Sequence, residues 1–178
     1  MKRKRSGKSK KEAKRGKIVK NIGNIKSNID LSYEYKNLAL QDEKVAILLK
    51  NNQEYRHAIY FFLQSMEKYI KSKIFTLVNP NLEYFIKKNK HHSLDDSVDF
   101  LIEVISSDEN IRNQVKSQFN QYVFKDLNSR NLHNNLRYPF YNEKRGNYVI
   151  VNYDKKDCEY IEEMLENLKK YLKDLNRI

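Results

Sequence analysis

Apolar residues recur along this chain at intervals of three and four positions, the spacing that places them on one face of an α-helix. The longest such series runs from Tyr55 to Ile74. Asn79–Pro80 predicts its end, because the residue before a proline disfavours helical backbone angles. Upstream, the segment 38–49 has the same spacing, and Asp30 is a candidate cap for a short helix that begins just after it.

The second half of the chain predicts three more helices. Ser93 can cap a helix whose apolar stripe covers 94–105. A long helix is predicted over 109–137, where Pro139 ends it, and Asp154 can cap a last helix. Only four Gly and two Pro occur in the chain, which favours helices over a turn-rich β fold. The predicted fold class is therefore all-α, an antiparallel up-and-down bundle of four main helices plus short extra helices.

Positive charge is concentrated at the N-terminus. Residues 1–20 hold eleven Lys or Arg and one acid, whereas residues 21–178 hold 24 Lys or Arg against 22 acids. So polar a segment buries too little apolar area to offset its ordering entropy. We therefore predict a disordered basic tail over 1–28 and a helical domain over 29–178. Such a tail favours nonspecific nucleic-acid contact through counterion release, with a solubility role, a membrane surface or an import receptor as alternatives.

The remaining composition favours a cytoplasmic protein. Cys158 is the single cysteine, so no internal disulfide or cysteine metal cluster is expected. The charged N-terminus is unlike a secretory signal, and no apolar run reaches the length of a membrane span. His91 and Asp95 are four positions apart, and so are His92 and Asp96. On a helix this spacing allows two side chains to bind the same metal ion. A Ser93 cap with first-turn acids explains the same residues, so no metal and no cofactor is predicted.

The densest group of candidate functional side chains is the segment Arg130–Phe140. On a helix, Arg130, His133, Asn134 and Arg137 would share one stripe. Histidine can act as a general base or acid near neutral pH, and arginine presents a planar fork to phosphate oxygens. A structural interpretation stays open, in which the arginines pair with acids of a neighbouring helix and the histidine packs.

Two groups on the longest predicted helix are interpreted as structural. Glu67, Lys68 and Lys71 are expected to lie on a solvated face with i,i+4 pairing. Tyr55, Tyr60 and Tyr69 are expected in the core and at its rim, rather than as a platform for nucleic-acid bases.

Several local patterns resemble those of the HEPN family, small helical domains found in prokaryotic toxins and in partners of nucleotidyltransferases. The matching segments, in order, are Asp42–Tyr60, Phe62–Lys71, His92–Asp96, Leu136–Pro139 and the helix lead-in Tyr153–Asp157. The resemblance covers about residues 38–176, and its specificity lies in the order and spacing of the segments.

The resemblance implies an antiparallel helical bundle that pairs as a homodimer. Active members of the family are metal-independent ribonucleases with an Arg followed by a His four to six residues later, at the dimer interface. By this resemblance Arg130 and His133 are the catalytic candidates, although only two residues separate them here. The substrate-binding candidates are Asn131, Asn134, Arg137 and Tyr138.

The expected function is that of an RNA- or nucleotide-acting protein, in its active form a metal-independent endoribonuclease of a toxin or defence system. The alternative is a noncatalytic module of the same fold that binds a nucleotide, a nucleic acid or a partner protein. Expected partners are RNA or a nucleotide, a second copy of the chain, and an antitoxin or nucleotidyltransferase. In a homodimer, the two copies of His133 would supply the two titrating groups that RNA cleavage needs.

Overall fold

The computed structural model describes residues 23–125, 127 and 131–175. Most of the predicted basic tail, and Arg130 among the candidate site residues, lie outside these described residues. Residues 23–28 are exposed and form no helix.

The described residues form a mostly helical structure, which confirms the predicted class. The α-helices are α1 (Leu31–Asn51), α2 (Tyr55–Leu77), α3 (Glu83–Lys88), α4 (Leu94–Ile105), α5 (Glu109–Gln118), α6 (Leu132–Arg137) and α7 (Lys155–Asp174). A π-helix, Phe119–Phe124, continues α5. Two short antiparallel strands, β1 (Phe140–Asn142) and β2 (Asn147–Val149), form a hairpin between α6 and α7.

Three predicted N-caps are present. Asp30 accepts a hydrogen bond from the backbone N–H of Tyr33. The helix that it caps, α1, continues to Asn51 and therefore includes the segment 38–49, which was predicted as a second helix. Ser93 accepts from the N–H of Asp96 at the start of α4. Asp154 forms a reciprocal capping box at the start of α7. These caps satisfy N–H groups that the first turn of a helix leaves without partners.

The single long helix predicted over 109–137 is wrong. The helical segment that begins at Glu109 ends at Lys125, whose φ of 47° is left-handed. Helix α6 then forms as a separate element. Between them the π-helix brings Phe119 and Phe124, five residues apart, into a stacked ring pair at 5.9 Å. An α-helix would turn these two side chains to different faces. Both are buried, and Phe119 also lies 4.6 Å from the ring of Tyr171 on α7, so burial of both rings favours the wider turn.

Helix α2 lies at the centre of the bundle and contacts α1, α4, α6 and α7. Its fully buried side chains, among them Phe62 and Met66, form one cluster with those of α7. Cys158 on α7 belongs to this cluster, and burial raises the pKa of its thiol to about 11. Within the described residues, no helix has the length and apolar character needed to cross a membrane.

Candidate functional site

The short helix α6 is fixed to the first turn of α2. Leu136 is buried against the core. The Arg56 guanidinium donates to the carbonyl oxygens of Asn135 and Leu136 at 3.1 and 2.9 Å, and also to that of Val151. Its charged fork therefore satisfies carbonyls that the end of a helix leaves without partners. Arg56 was not among the residues predicted to be functional. The one indication in the sequence was its position as the second residue of the strongest predicted helix.

The side chain of His133, on α6, packs against Tyr60 of α2. Its imidazole is half-buried, and its ring centroid lies 5.4 Å from that of Tyr60. Burial and the neighbouring Arg137 charge lower the pKa of His133, and the more distant Glu67 carboxylate opposes them. The imidazole is therefore neutral at neutral pH, the state in which it can accept a proton.

Arg137 is the polar neighbour of His133 on the exposed side. Its Nη1 atom is 3.5 Å from His133 Nε2, one helical turn away, as the spacing predicted. Its guanidinium also lies 5.0 Å from the ring centroid of Tyr138, within cation–π range. Arg137 is exposed, and among the described residues no carboxylate forms an ion pair with it. The structural interpretation, an arginine paired with an acid, therefore does not hold for Arg137 within this part of the chain.

The other predicted binding residues border this pair. Asn131 is the N-cap position of α6, but its side chain does not cap the helix. Asn134 and Tyr138 are exposed, and Tyr138 adopts the extended conformation that a following proline favours. The structure thus brings His133 and Arg137 together, with exposed amide and aromatic side chains at both ends of α6. We name Asn131, His133, Asn134, Arg137 and Tyr138 the α6 surface.

A cavity of about 20 Å³ lies beneath His133, between α2 and the start of α4. Glu67, Ser93 and Asp95 line it together with the imidazole. Leu63 and Leu94 complete the lining, so the space combines polar and apolar walls. The imidazole therefore borders this small cavity and also contacts Arg137.

The predicted solvated face of α2 at Glu67 and Lys71 is wrong. The two side chains are 7% and 2% exposed, and they form an ion pair at 2.9 Å. The Lys71 ammonium also donates to the carbonyl oxygen of His91 at 2.7 Å and faces the Tyr35 ring. His92 Nδ1 is 3.4 Å from the Glu67 carboxylate. Because α2 packs against four other helices, these two polar positions are buried, and they are paired with each other and with the loop before α4.

The spacing of the histidines and aspartates near Ser93 does not assemble a metal site in this part of the chain. The described residues contain no group of three or more His, Cys, Asp or Glu side chains arranged to hold a metal ion. His92 points to the buried pair instead, and Ser93 caps α4.

The tyrosines of α2 have the predicted structural positions. Tyr55, Tyr60 and Tyr69 are partly buried and pack against the core. Tyr69 donates to a Glu43 carboxylate oxygen at 2.8 Å, and burial is the main cause of its raised pKa. Tyr60 has a second role that its spacing did not indicate, because its ring supports His133.

A surface groove of about 410 Å³ connects the α6 surface to the base of the hairpin. Its lining includes Arg137 and Tyr138 from the α6 surface, Arg56 and Tyr60 from α2, and Ile150, which follows β2. The guanidinium, the neutral imidazole and the exposed amides are together suited to bind an anionic group such as a phosphodiester. Comparisons of the chain with protein-family models, with curated proteins and with solved structures gave no significant match.

Proposed function

We propose that this protein binds RNA through a phosphodiester at the α6 surface and cleaves it without a metal ion. The observation that carries the proposal is the contact between Arg137 and His133. An exposed guanidinium without a carboxylate partner in the described part of the chain stands beside an imidazole whose pKa is lowered. The resemblance of the sequence to the HEPN family supports the same choice of ligand.

In this proposal Arg137 donates to the phosphate oxygens and neutralises the charge that develops on them. Neutral His133 accepts the proton of the ribose 2′-hydroxyl. The 2′-oxygen attacks the phosphorus, the bond to the 5′-oxygen breaks, and a cyclic phosphate results. Asn131 and Asn134 supply further donors to the phosphate or to a base edge.

The leaving 5′-oxygen needs a proton, and one imidazole cannot supply it while acting as the base. We therefore propose that the active form is a homodimer in which His133 of the second copy is the acid, after it takes up a proton beside the bound phosphate, whose negative charge favours the imidazolium form. Arg130 would add a second guanidinium, and the basic residues within 1–20 would add sequence-independent affinity for RNA. An antitoxin or nucleotidyltransferase as a further partner rests on the family resemblance alone.

A noncatalytic alternative has its own supporting observation. The His133 ring packs on Tyr60, and its Nε2 atom faces Arg137 rather than open solvent. An imidazole held in this way can orient Arg137 for binding without exchanging protons with a substrate. The chain would then bind RNA or a nucleotide and leave it intact.

An RNA-degradation assay in EDTA distinguishes the two functions. The full chain and the His133→Ala variant are incubated with labelled RNA, and binding is measured in parallel. His91→Ala is the matched control, because His91 is exposed and its hydrogen bonds to Lys71 and Lys88 are made by its backbone, which the substitution keeps. Cleavage by wild type and by the control, but not by His133→Ala, is the expected result.

Binding without cleavage would assign the noncatalytic function. Cleavage that survives in His133→Ala would contradict the assignment of the base. RNA binding that Arg137→Ala leaves unchanged would remove the α6 surface from the proposal altogether. Deletion of residues 1–20 tests the tail separately, since unchanged affinity and salt dependence would exclude a contribution from it.

A further inference from the structure

The hairpin β1–β2 presents an aromatic face to solvent. Its register pairs Tyr141 with Tyr148, and their rings meet edge to face at 5.5 Å. Adjacent strand residues point to opposite sides, so the neighbouring pair Phe140 and Val149 faces the other way and is half-buried. Tyr141 and Tyr148 remain 54% and 75% exposed. A solvent-facing pair of strand positions is ordinarily polar, so this face is suited to a ligand.

The turn of the hairpin adds positive charge. Lys144 and Arg145 are exposed there, with Glu143 as the only acid of the turn. Among the described residues, neither cation forms an ion pair. The turn is ordered, because Gly146 adopts a left-handed φ of 63° and its N–H donates to the Asn142 carbonyl at 2.9 Å. The two cations therefore project from a defined support rather than from a loose loop.

The hairpin is joined at both ends to residues of the groove at the α6 surface, because Tyr138 precedes β1 by two residues and Ile150 follows β2 directly. Ile150, directly after β2, lines this groove together with Arg137 and Tyr138. Tyr138 is itself exposed and lies under the Arg137 guanidinium. A strand of nucleotides with its phosphate at Arg137 that extends past Ile150 to the hairpin would meet the exposed rings and cations there.

From these observations we propose that the hairpin is a stacking platform for unpaired RNA bases, with Tyr141 and Tyr148 as the platform residues. The inference rests on the proposed function and adds its substrate class, single-stranded RNA. Bases in a duplex are already stacked on each other, whereas unpaired bases can stack on tyrosine rings. The turn carries two exposed cations against one acid, a charge that complements the phosphates of RNA, so RNA is the occupant proposed here.

The test is fluorescence anisotropy of the full chain with two labelled probes. One is a short unstructured RNA, and the other is the blunt duplex of the same sequence. Both carry 2′-O-methyl groups, so that cleavage through the 2′-hydroxyl cannot interfere. The variant Tyr141→Thr/Tyr148→Thr removes both rings and keeps residues that suit a strand. Tyr33→Ala is the matched control, since Tyr33 is 61% exposed but lies on α1.

We expect the threonine double variant to bind the single strand about tenfold more weakly or worse, because each stacked base contributes substantially to affinity. Duplex binding stays unchanged, and so does the slope of log affinity against log salt, since no phosphate contact is lost. Tyr141→Phe/Tyr148→Phe keeps the rings and retains the wild-type affinity. The control variant does the same.

Three results would overturn the platform. One is single-strand affinity that is equal in wild type and in the threonine variant. Another is an equal loss for both probes. The third is a variant that loses self-association but still binds RNA, which would make this face a protein interface. If Arg137→Ala weakens RNA binding while the tyrosine variants do not, only the platform fails. If wild type binds neither probe, the proposed function fails with it.

Discussion

The pairs Glu67–Lys71 and His133–Arg137 are both one helical turn apart, yet their surroundings differ. Lys71 is buried, with an ion pair to Glu67 and a hydrogen bond to the His91 carbonyl. Arg137 is exposed, and within the described residues its partners are an imidazole and the ring of Tyr138. The first pair therefore has its polar groups satisfied inside the protein, whereas the second has donors left for a ligand.

This difference separates a structural role from a functional one more clearly than residue type does. A buried charge is tolerated only when it is paired and hydrogen-bonded, so the interior pair holds α2 to the loop before α4. An exposed guanidinium keeps its hydration and needs no partner inside the protein. The small cavity lined by Glu67 and His133 lies between the buried pair and the exposed pair. Substitutions in the two pairs should thus change different measurements.

The largest effect is expected for Lys71→Met. Removal of the ammonium leaves the Glu67 carboxylate buried without its cation, which costs about 3–5 kcal/mol of the free energy of unfolding. Urea denaturation of the full chain measures the loss. The double variant Glu67→Gln/Lys71→Met should recover much of it, because no uncompensated charge remains buried.

The exposed i,i+4 pair Glu83–Lys87 supplies the control. Its side chains are 82% and 70% exposed, so Lys87→Met should change the free energy of unfolding by less than about 0.5 kcal/mol. Equal losses for Lys71→Met and Lys87→Met would contradict the structural role given to the buried pair.

Arg56→Met should have the next largest effect. It removes the donor from three backbone carbonyls at the end of α6 and before α7. The cost to the free energy of unfolding is about 1–3 kcal/mol, since partly buried acceptors lose their partners. RNA affinity should fall as well, because α6 is then less firmly placed. Arg112→Met, which removes a single bond to the Ser106 carbonyl, is the graded comparison and should cost less.

Arg137→Ala should leave stability within about 0.5 kcal/mol of wild type, as is usual for an exposed side chain. Its RNA affinity should nevertheless fall by about tenfold at low salt, equivalent to ~1.4 kcal/mol, and the salt slope by about one unit. Anisotropy at several salt concentrations measures both. Lys36→Ala, at an exposed lysine of α1, should have neither effect. A large loss of stability in Arg137→Ala would remove the contrast between the two pairs.

The smallest effect is on the pH dependence of stability. Burial lowers the pKa of His133 in the folded state below its ordinary value of 6.5. Between these two pKa values the unfolded chain binds more protons than the folded one. The contribution of His133 to the free energy of unfolding is therefore fully present above pH 6.5, and it decreases as the pH falls toward the pKa of the folded state. His133→Gln should flatten this part of the pH profile, as measured by thermal unfolding, and an unchanged profile would contradict the assigned burial.

Helices whose caps and periodicity agree could be predicted from the sequence. Asp154 and the apolar stripe after it define α7, and Ser93 defines α4 in the same way. The break at Lys125 could not be predicted, because the π-helix depends on burying two phenylalanines against α7. The spacing of apolar residues indicates which of them are buried. It does not indicate whether the helix between them changes from an α-helix to the wider π-helix.

Part of the geometry of the α6 surface could also be predicted from helical spacing. The contact of His133 with Arg137 follows from helical spacing alone, and the structure contains it. The burial of Glu67 depends on how many neighbours surround α2, which no local pattern records. Arg130 lies outside the described residues, and RNA as the ligand stays a prediction.

The chain's one thiol offers a practical consequence. Cys158 is fully buried and its pKa is raised to about 11, so the nucleophilic thiolate is scarce at ordinary pH. A cysteine introduced at an exposed position such as Lys144 would therefore react with a maleimide dye while the native one does not. Fluorescent labels could then be attached to the hairpin turn of the otherwise unaltered chain.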